Sequence, residues 1–219
     1  MAPVHGYWNF RGYGQPIRLL LAHAGVEYED KRYNVKGEAP NFDVSEWRSE
    51  KYSLGLDFPN LPYYIDGGVK LSQSFAILKY LGRKHGLAPK KETEQIRVDL
   101  TEAEAMDVRS KWAVTLYSPD YDKLREEYVK NFINKCKEFS AFLGSHMYFA
   151  GETLTYVDFL MYEILDTHCL LEPKALEGLD NLTAFCDRIR SLHNVAAYIK
   201  SDKFVKWPLA GPIAKFGGK

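Results

Sequence analysis

The stretch from Phe58 to Ser74 holds the clearest chemical potential in the chain. Pro62 stands just before the apolar run Tyr63, Tyr64 and Ile65. A proline cannot donate to a sheet ladder, so it belongs at a strand's first residue. The backbone polar groups of Leu61 then stay open at a strand edge, where an extended peptide can pair as an added strand. Asp66, Gly67 and Gly68 make a hairpin turn, glycine supplying the positive φ such turns need. Gln73 and Ser74 precede the helical run Phe75 to Leu81, which makes Ser74 the expected N-cap. Orphan N–H groups and the helix dipole favour an anion there. Together these pieces suit a short peptide carrying negative charge. Taken alone, they fit a hairpin packed on a helix with no ligand at least as well.

The rest of the chain has to position that stretch. It has 219 residues, with 29 basic and 29 acidic side chains. The length allows one large or two small domains. Zero net charge argues against non-specific binding to nucleic acid or membrane, which needs a basic face. Hydrophobic residues make up 46%, enough for a substantial core, yet no segment approaches the ~20 apolar residues of a membrane span. Residues Met1 to Gly6 lack the apolar core of a signal peptide. The three cysteines, Cys136, Cys169 and Cys186, are odd in number and unpatterned. Free thiols in a reducing compartment are expected, with the cytoplasm as the default location, and neither a disulfide framework nor a metal site.

Val4 to Trp8 reads as a strand, and Gly12 and Gly14 mark the loop after it. Pro16 suits a helix's first turn. Ile17, Leu20, Leu21 and Ala24 fall on one helix face, and Gly25 is the stop. Tyr28 to Tyr33 reads as a second strand and Val44 to Tyr52 as a short helix. The Phe58–Ser74 stretch adds two strands and a helix ending near His85. Residues 1–86 thus read β-α-β-α-β-β-α, a small α/β unit with a mixed sheet, in the order of the thioredoxin fold. Residues 87–91 form a polar, proline-containing linker.

From 92 to 219 every periodic segment is helical. Ile96, Leu100, Ala103, Asp107, Ser110 and Val114 trace a heptad-like stripe in which Asp107 is anomalous, a carboxylate on a face expected to be apolar. A surface carboxylate in another register is the plainer reading of Asp107. Leu124, Tyr128, Phe132, Phe139 and Phe142 mark the next helix. Thr155 and Asp158 resemble a capping box ahead of the all-apolar run Phe159 to Tyr162, a helix expected at the centre. Leu182, Phe185, Ile189 and Leu192 mark another, followed by a short turn from Val195 to Lys200 and an irregular tail from Phe204.

A thioredoxin-like unit followed by an all-α unit is the plan of cytosolic glutathione S-transferases, and the motifs resemble that family's mu class. They include Gly6-Tyr7-Trp8, Arg11-Gly12, Gln15 to Leu21, Trp47, Glu50-Lys51, Leu54 to Tyr63, Gln73-Ser74, Ala105-Met106-Asp107, Tyr117, Phe149-Ala150-Gly151 and Val157-Asp158-Phe159. The resemblance covers nearly the whole chain. It implies that glutathione, a tripeptide with two carboxylates, is a co-substrate, with no separate cofactor. It implies a cis peptide before Pro62 and pairing of Leu61 with the cysteinyl backbone. Trp8 belongs to the same glutathione-binding set. Gln73 and Ser74 would hold the γ-glutamyl end, and Trp47, Lys51 and Asn60 the glycyl end. Asp107 would reach the γ-glutamyl ammonium of the partner in a homodimer, and Phe58 would insert between helices of the partner's α domain. The chain departs from the class at Val44, where an arginine that helps bind the glycyl carboxylate is usual.

Tyr7 is then the residue expected to carry the chemistry. A free thiol has a pKa of ~8.5 and is mostly protonated at neutral pH, while only the thiolate is a good nucleophile. A neutral phenol donates a far stronger hydrogen bond to S⁻ than to S–H, which lowers the thiol pKa. The electrophile, a small hydrophobic molecule, would sit in an apolar pocket lined by Phe10, Tyr13, Arg109, Trp112 and Tyr117; each of these five also fits a packing or surface role. Ala210 and Gly211 are small where some mu-class members carry larger groups, which would widen the pocket. The competing function is a non-catalytic protein of the same fold, structural or ligand-binding. A thiol-disulfide oxidoreductase needs a cysteine near the first helix, and the first here is Cys136.

Overall fold

The structure is a computed structural model that describes residues 2–218. The first unit runs β1 (Val4–Trp8), α1 (Gln15–His23), β2 (Glu29–Tyr33), α2 (Ser45–Arg48), β3 (Tyr63–Asp66), β4 (Val69–Ser72) and α3 (Ser74–Lys84). The strands form one mixed sheet in the order β2-β1-β3-β4. β1 lies parallel to β2, with Val4 opposite Glu29 and Trp8 opposite Tyr33. A parallel pair needs a crossover, and α1 supplies it. β1 and β3, and β3 and β4, are antiparallel. The Leu61–Pro62 peptide is cis and leads directly into β3.

The second unit holds α4 (Glu92–Leu116), α5 (Tyr121–Leu143), α6 (Tyr156–Leu171), α7 (Asp180–Ser191) and α8 (His193–Lys200). The largest core is continuous across both units: Ile17, Leu20, Ile77 and Leu81 pack with Phe159, Leu160, Phe149 and Phe185. Residues 87–91 connect the units, but Leu87 is buried and its carbonyl accepts the Tyr156 N–H at the start of α6. α6 is central as expected, buried on every side from Tyr156 to Leu165. The capping box is present, with Asp158 accepting from the Thr155 N–H at 2.7 Å and the Phe149 N–H at 2.8 Å.

Three expectations change. α2 is a single turn, Ser45–Arg48, and Val44 is its N-cap, not one of its helical residues. Ser74 is the first residue of α3, and Gln73 occupies the N-cap. The stripe Ile96, Leu100, Ala103, Asp107, Ser110 and Val114 faces outward on α4; the face packed inward carries Val98, Thr101, Ala105, Val108 and Thr115. Periodicity marks which residues share a face; it does not say which body covers that face.

Candidate functional site

Tyr7 ends the buried part of β1 and is 3% exposed. Its ring lies edge-on to Phe10, 5.4 Å between centroids, with the Arg18 guanidinium 6.0 Å from the ring centre. The chain turns tightly around it. A Cβ on Gly12 would come within 2.6 Å of the Tyr7 hydroxyl, and one on Gly14 within 2.5 Å of its ring, so only glycine lets this loop wrap the phenol. The Tyr13 N–H donates to the Tyr7 hydroxyl oxygen at 3.0 Å. Burial pushes the Tyr7 pKa up, which keeps the phenol protonated. With its oxygen already accepting, its own hydrogen is free to donate to a ligand.

That donor opens into a cleft of about 300 Å³ between the two units. All five residues expected at the electrophile site line it: Phe10, Tyr13, Arg109, Trp112 and Tyr117. Trp8 and Leu61 do too, so the cleft reaches the strand edge. The Tyr117 hydroxyl accepts the Gly211 N–H at 2.8 Å, which leaves its hydrogen available as well. At the deep end the polar groups are engaged within the protein. Both Glu163 oxygens take Arg11, Thr167 Oγ1 donates to the Glu163 carbonyl, and both His168 nitrogens are bonded. The deep end therefore offers an apolar guest little to compete with.

Beside the cleft runs the open edge before β3. The Leu61 N–H donates to Asn60 Oδ1 at 2.9 Å. Gln73 is exposed with φ at 71°, the sole described non-glycine residue in the left-handed region. Such a conformation costs on the order of 1 kcal/mol or more and recurs at ligand clamps. Gln73 stands at the N-cap of α3, directly before half-buried Ser74. Trp47 is buried, stacked on Tyr63 with centroids 6.1 Å apart and edge-on to Tyr33. Lys51 is half-buried, its ammonium 5.2 Å from the Tyr52 ring centre. Asp107 is exposed on α4. Phe58 is 75% exposed, in a loop fixed by the Ser72 hydroxyl donating to the Phe58 carbonyl at 2.6 Å.

Sequence reading missed several residues that shape the site. Arg18 is fully buried, paired to Asp30 at 3.0 Å, and donates to the Phe10 carbonyl at 3.0 Å. A cation amid Ile17, Leu19, Leu20 and Leu21 was the available signal. Arg11 is buried against Glu163 at 2.7 Å and Asp166 at 2.6 Å, tying the Tyr7 loop to α6. Two backbone bonds tie the same loop to the tail: the Arg11 and Gly12 N–H groups donate to Pro208 and Leu209, each at 3.0 Å. Ala210 lines the cleft as the sequence suggested, whereas Leu209 beside it was not anticipated, because nothing local to the tail announces the pairing.

A neutral phenol thus stands at an apolar cleft, next to the Leu61 segment that leads into β3 and near the N-terminus of α3. The glutathione S-transferase N-terminal domain model matches residues 3–83, and the C-terminal domain model matches residues 106–202. The chain is 49% identical to glutathione S-transferase Mu 4 of Mus musculus over 98% of each chain. It is 49% identical to glutathione S-transferase Mu 1 of Bos taurus over the whole of both. Among solved structures, that of the glutathione S-transferase Blo t 8 superposes with a TM-score of 0.90 at 32% identity, covering 98% of this chain and 99% of that one. The Onchocerca volvulus pi-class enzyme gives a TM-score of 0.85 at 25% identity, covering 98% and 100%. The chain belongs to the glutathione S-transferase family, and within it to the mu class.

Proposed function

We propose that this glutathione S-transferase joins the glutathione sulfur to small hydrophobic electrophiles, with the Tyr7 hydroxyl stabilising the thiolate. The observation that carries the assignment of Tyr7 is the bond from the Tyr13 N–H, which occupies the hydroxyl oxygen as an acceptor and leaves the phenol's hydrogen to donate at the cleft. Glutathione would lie along the Leu61 edge, displacing Asn60 Oδ1 from the Leu61 N–H. Its γ-glutamyl carboxylate would meet Ser74 and the α3 N-terminus, with Gln73 beside it. Its glycyl carboxylate would approach Trp47 and Lys51. The electrophile would occupy the cleft, with Tyr117 able to donate to a developing negative charge. No metal or resident cofactor enters this scheme.

The active form is proposed to be a homodimer in the cytoplasm, serving detoxification. A notch of about 220 Å³ between α4 and α5 is lined by Leu100, Phe139, Phe142 and Phe149. Phe58 of a second copy supplies an aromatic ring of the right character for it. The outward stripe from Ile96 to Val114 would be covered in the same assembly, which accounts for apolar side chains such as Val114 at 72% exposure. Asp107, on that stripe, would then reach the partner's γ-glutamyl ammonium.

A conjugation assay with an aryl halide tests the function. Turnover that depends on glutathione and on Tyr7 is expected. No turnover across several electrophile classes would favour the non-catalytic reading.

A further inference from the structure

Arg109 sits on the inner side of α4, half-buried at the cleft. Its Nη2 donates to the Gly12 carbonyl at 2.8 Å. Its guanidinium carbon lies 4.2 Å from the centre of the Tyr13 ring. The Gly12 carbonyl and the Tyr13 N–H belong to the same peptide unit, and that N–H is the one bonded to Tyr7 at 3.0 Å. One peptide plane is thus held at one end by Arg109 and at the other by the Tyr7 oxygen.

The planarity of the peptide gives this arrangement a consequence. Fixing the direction of the C=O fixes the direction of the N–H opposite it. Gly12, at φ +37°, is the residue whose freedom would otherwise let the plane turn. A cationic donor on the carbonyl also polarises the peptide and strengthens its N–H as a donor. The tail holds Arg11 and Gly12 by their N–H groups, but neither of those bonds touches this carbonyl. Arg18 holds the Phe10 carbonyl, two residues earlier.

We propose that Arg109 is a positioning residue for thiol activation: through the Gly12–Tyr13 peptide it fixes the Tyr7 hydroxyl so that its proton faces the glutathione sulfur. This rests on the reading of Tyr7 as the thiolate's donor. The charged and titratable groups around the phenol are Arg109 from α4, Arg18 from α1, Tyr13 from the loop and Tyr117 after α4. A purely electrostatic effect of Arg109 must therefore be separated from a geometric one.

The measurement is the ultraviolet absorbance of enzyme-bound thiolate titrated against pH, with glutathione affinity measured alongside. In Arg109→Ala the bound thiol's pKa should rise by about 0.5–1 unit, the scale of one ordinary hydrogen bond, with affinity little changed. In Tyr7→Phe the pKa should rise further, and adding Arg109→Ala to it should change nothing more, since both act through one hydroxyl. Arg109→Lys keeps the charge but not the planar stack on Tyr13, so it should fall between wild type and Arg109→Ala. It also serves if Arg109→Ala folds poorly. A wild-type curve in either single variant overturns the proposal. So does an equal rise with and without the Tyr7 hydroxyl, which would mean that the charge acts on sulfur directly. A wild-type curve in Tyr7→Phe overturns both this inference and the reading of Tyr7 beneath it.

Discussion

The Tyr13 N–H reaches the Tyr7 hydroxyl oxygen across 3.0 Å, so the phenol accepts from its own loop and is left to donate outward. Burial holds the phenol in its neutral form. Hydrogen bonds to charged groups contribute ~1.5–3 kcal/mol, equivalent to about one to two pKa units on the bound thiol.

Tyr7→Phe removes the donor and little volume. The bound thiol's pKa is expected to climb toward the free value of ~8.5. Turnover at pH 6.5 should drop by roughly ten- to a hundred-fold, with glutathione affinity nearly unchanged, because the lost bond favours the thiolate and not the bound thiol. Thiolate absorbance and steady-state kinetics on the same preparation check this. An unshifted absorbance curve removes Tyr7 from the mechanism.

Phe58 and Phe142 form the second prediction. Phe58 is exposed on a pinned loop, and Phe142 lines the α4–α5 notch with the Arg97 guanidinium 4.1 Å from its ring centre. Aromatic anchors in such notches carry about 2 kcal/mol or more, so Phe58→Ala should weaken the dimer roughly thirty-fold. Phe142→Ala should weaken it from the other side. Glutathione binding should fall in step, because Asp107 would act only across the dimer. Sedimentation equilibrium decides it, and a wild-type monomer at micromolar concentration removes the whole assembly.

The sheet was legible because short-range rules govern it: a proline opening β3, glycines closing the hairpin, and apolar alternation between. The residues of the cleft mouth were legible through resemblance. What escaped was set by contacts distant in sequence. The stripe through Asp107 has a true heptad period, yet its residues are exposed in this chain, so periodicity alone pointed it inward. Arg18 and Arg11 were given no structural role, because their partners Asp30, Glu163 and Asp166 lie elsewhere in the sequence. Gln73 took the N-cap from Ser74 because it adopts a backbone conformation that propensity disfavours.

His168 makes stability depend on pH. Its ring stacks on Phe132 with centroids 3.8 Å apart, Nδ1–H donates to the Ile164 carbonyl at 2.6 Å, and the Tyr128 hydroxyl donates to Nε2 at 2.6 Å. That network needs the neutral ring, and burial lowers its pKa to about 4. The unfolded chain takes up this proton near pH 6.5 and the folded chain only near 4, so stability falls as pH drops through that window. Between those limits His168 accounts for a loss on the order of 3 kcal/mol. Buried His5, lowered to about 3 by burial and by Arg18, steepens the same slope. Urea unfolding at pH 7 and pH 5 should show the loss, and His168→Gln should flatten part of it. An equal slope in that variant would place the effect elsewhere.

Val44 is where the chain departs from its class, and the structure bears on how it copes. The resemblance to the mu class implies an arginine there for the glycyl carboxylate. Val44 is the N-cap of α2, with φ at −121°, and the Arg48 N–H donates to its carbonyl at 3.1 Å, one turn on. Arg48 is exposed, and the Asp43 carboxylate feels its charge. On the proposed reading, Trp47, Lys51 and Asn60 would meet the glycyl carboxylate with one cation fewer than the class pattern. A charge-assisted contact at a partly wet site is worth ~1 kcal/mol, between the exposed and buried limits. Val44→Arg should accordingly lower the glutathione KM by roughly five-fold and leave kcat alone, since the contact is remote from sulfur. Arg48→Ala should change neither. If Val44→Arg has no effect while Arg48→Ala raises KM strongly, Arg48 already serves that carboxylate, and α2 must move toward the ligand when glutathione binds.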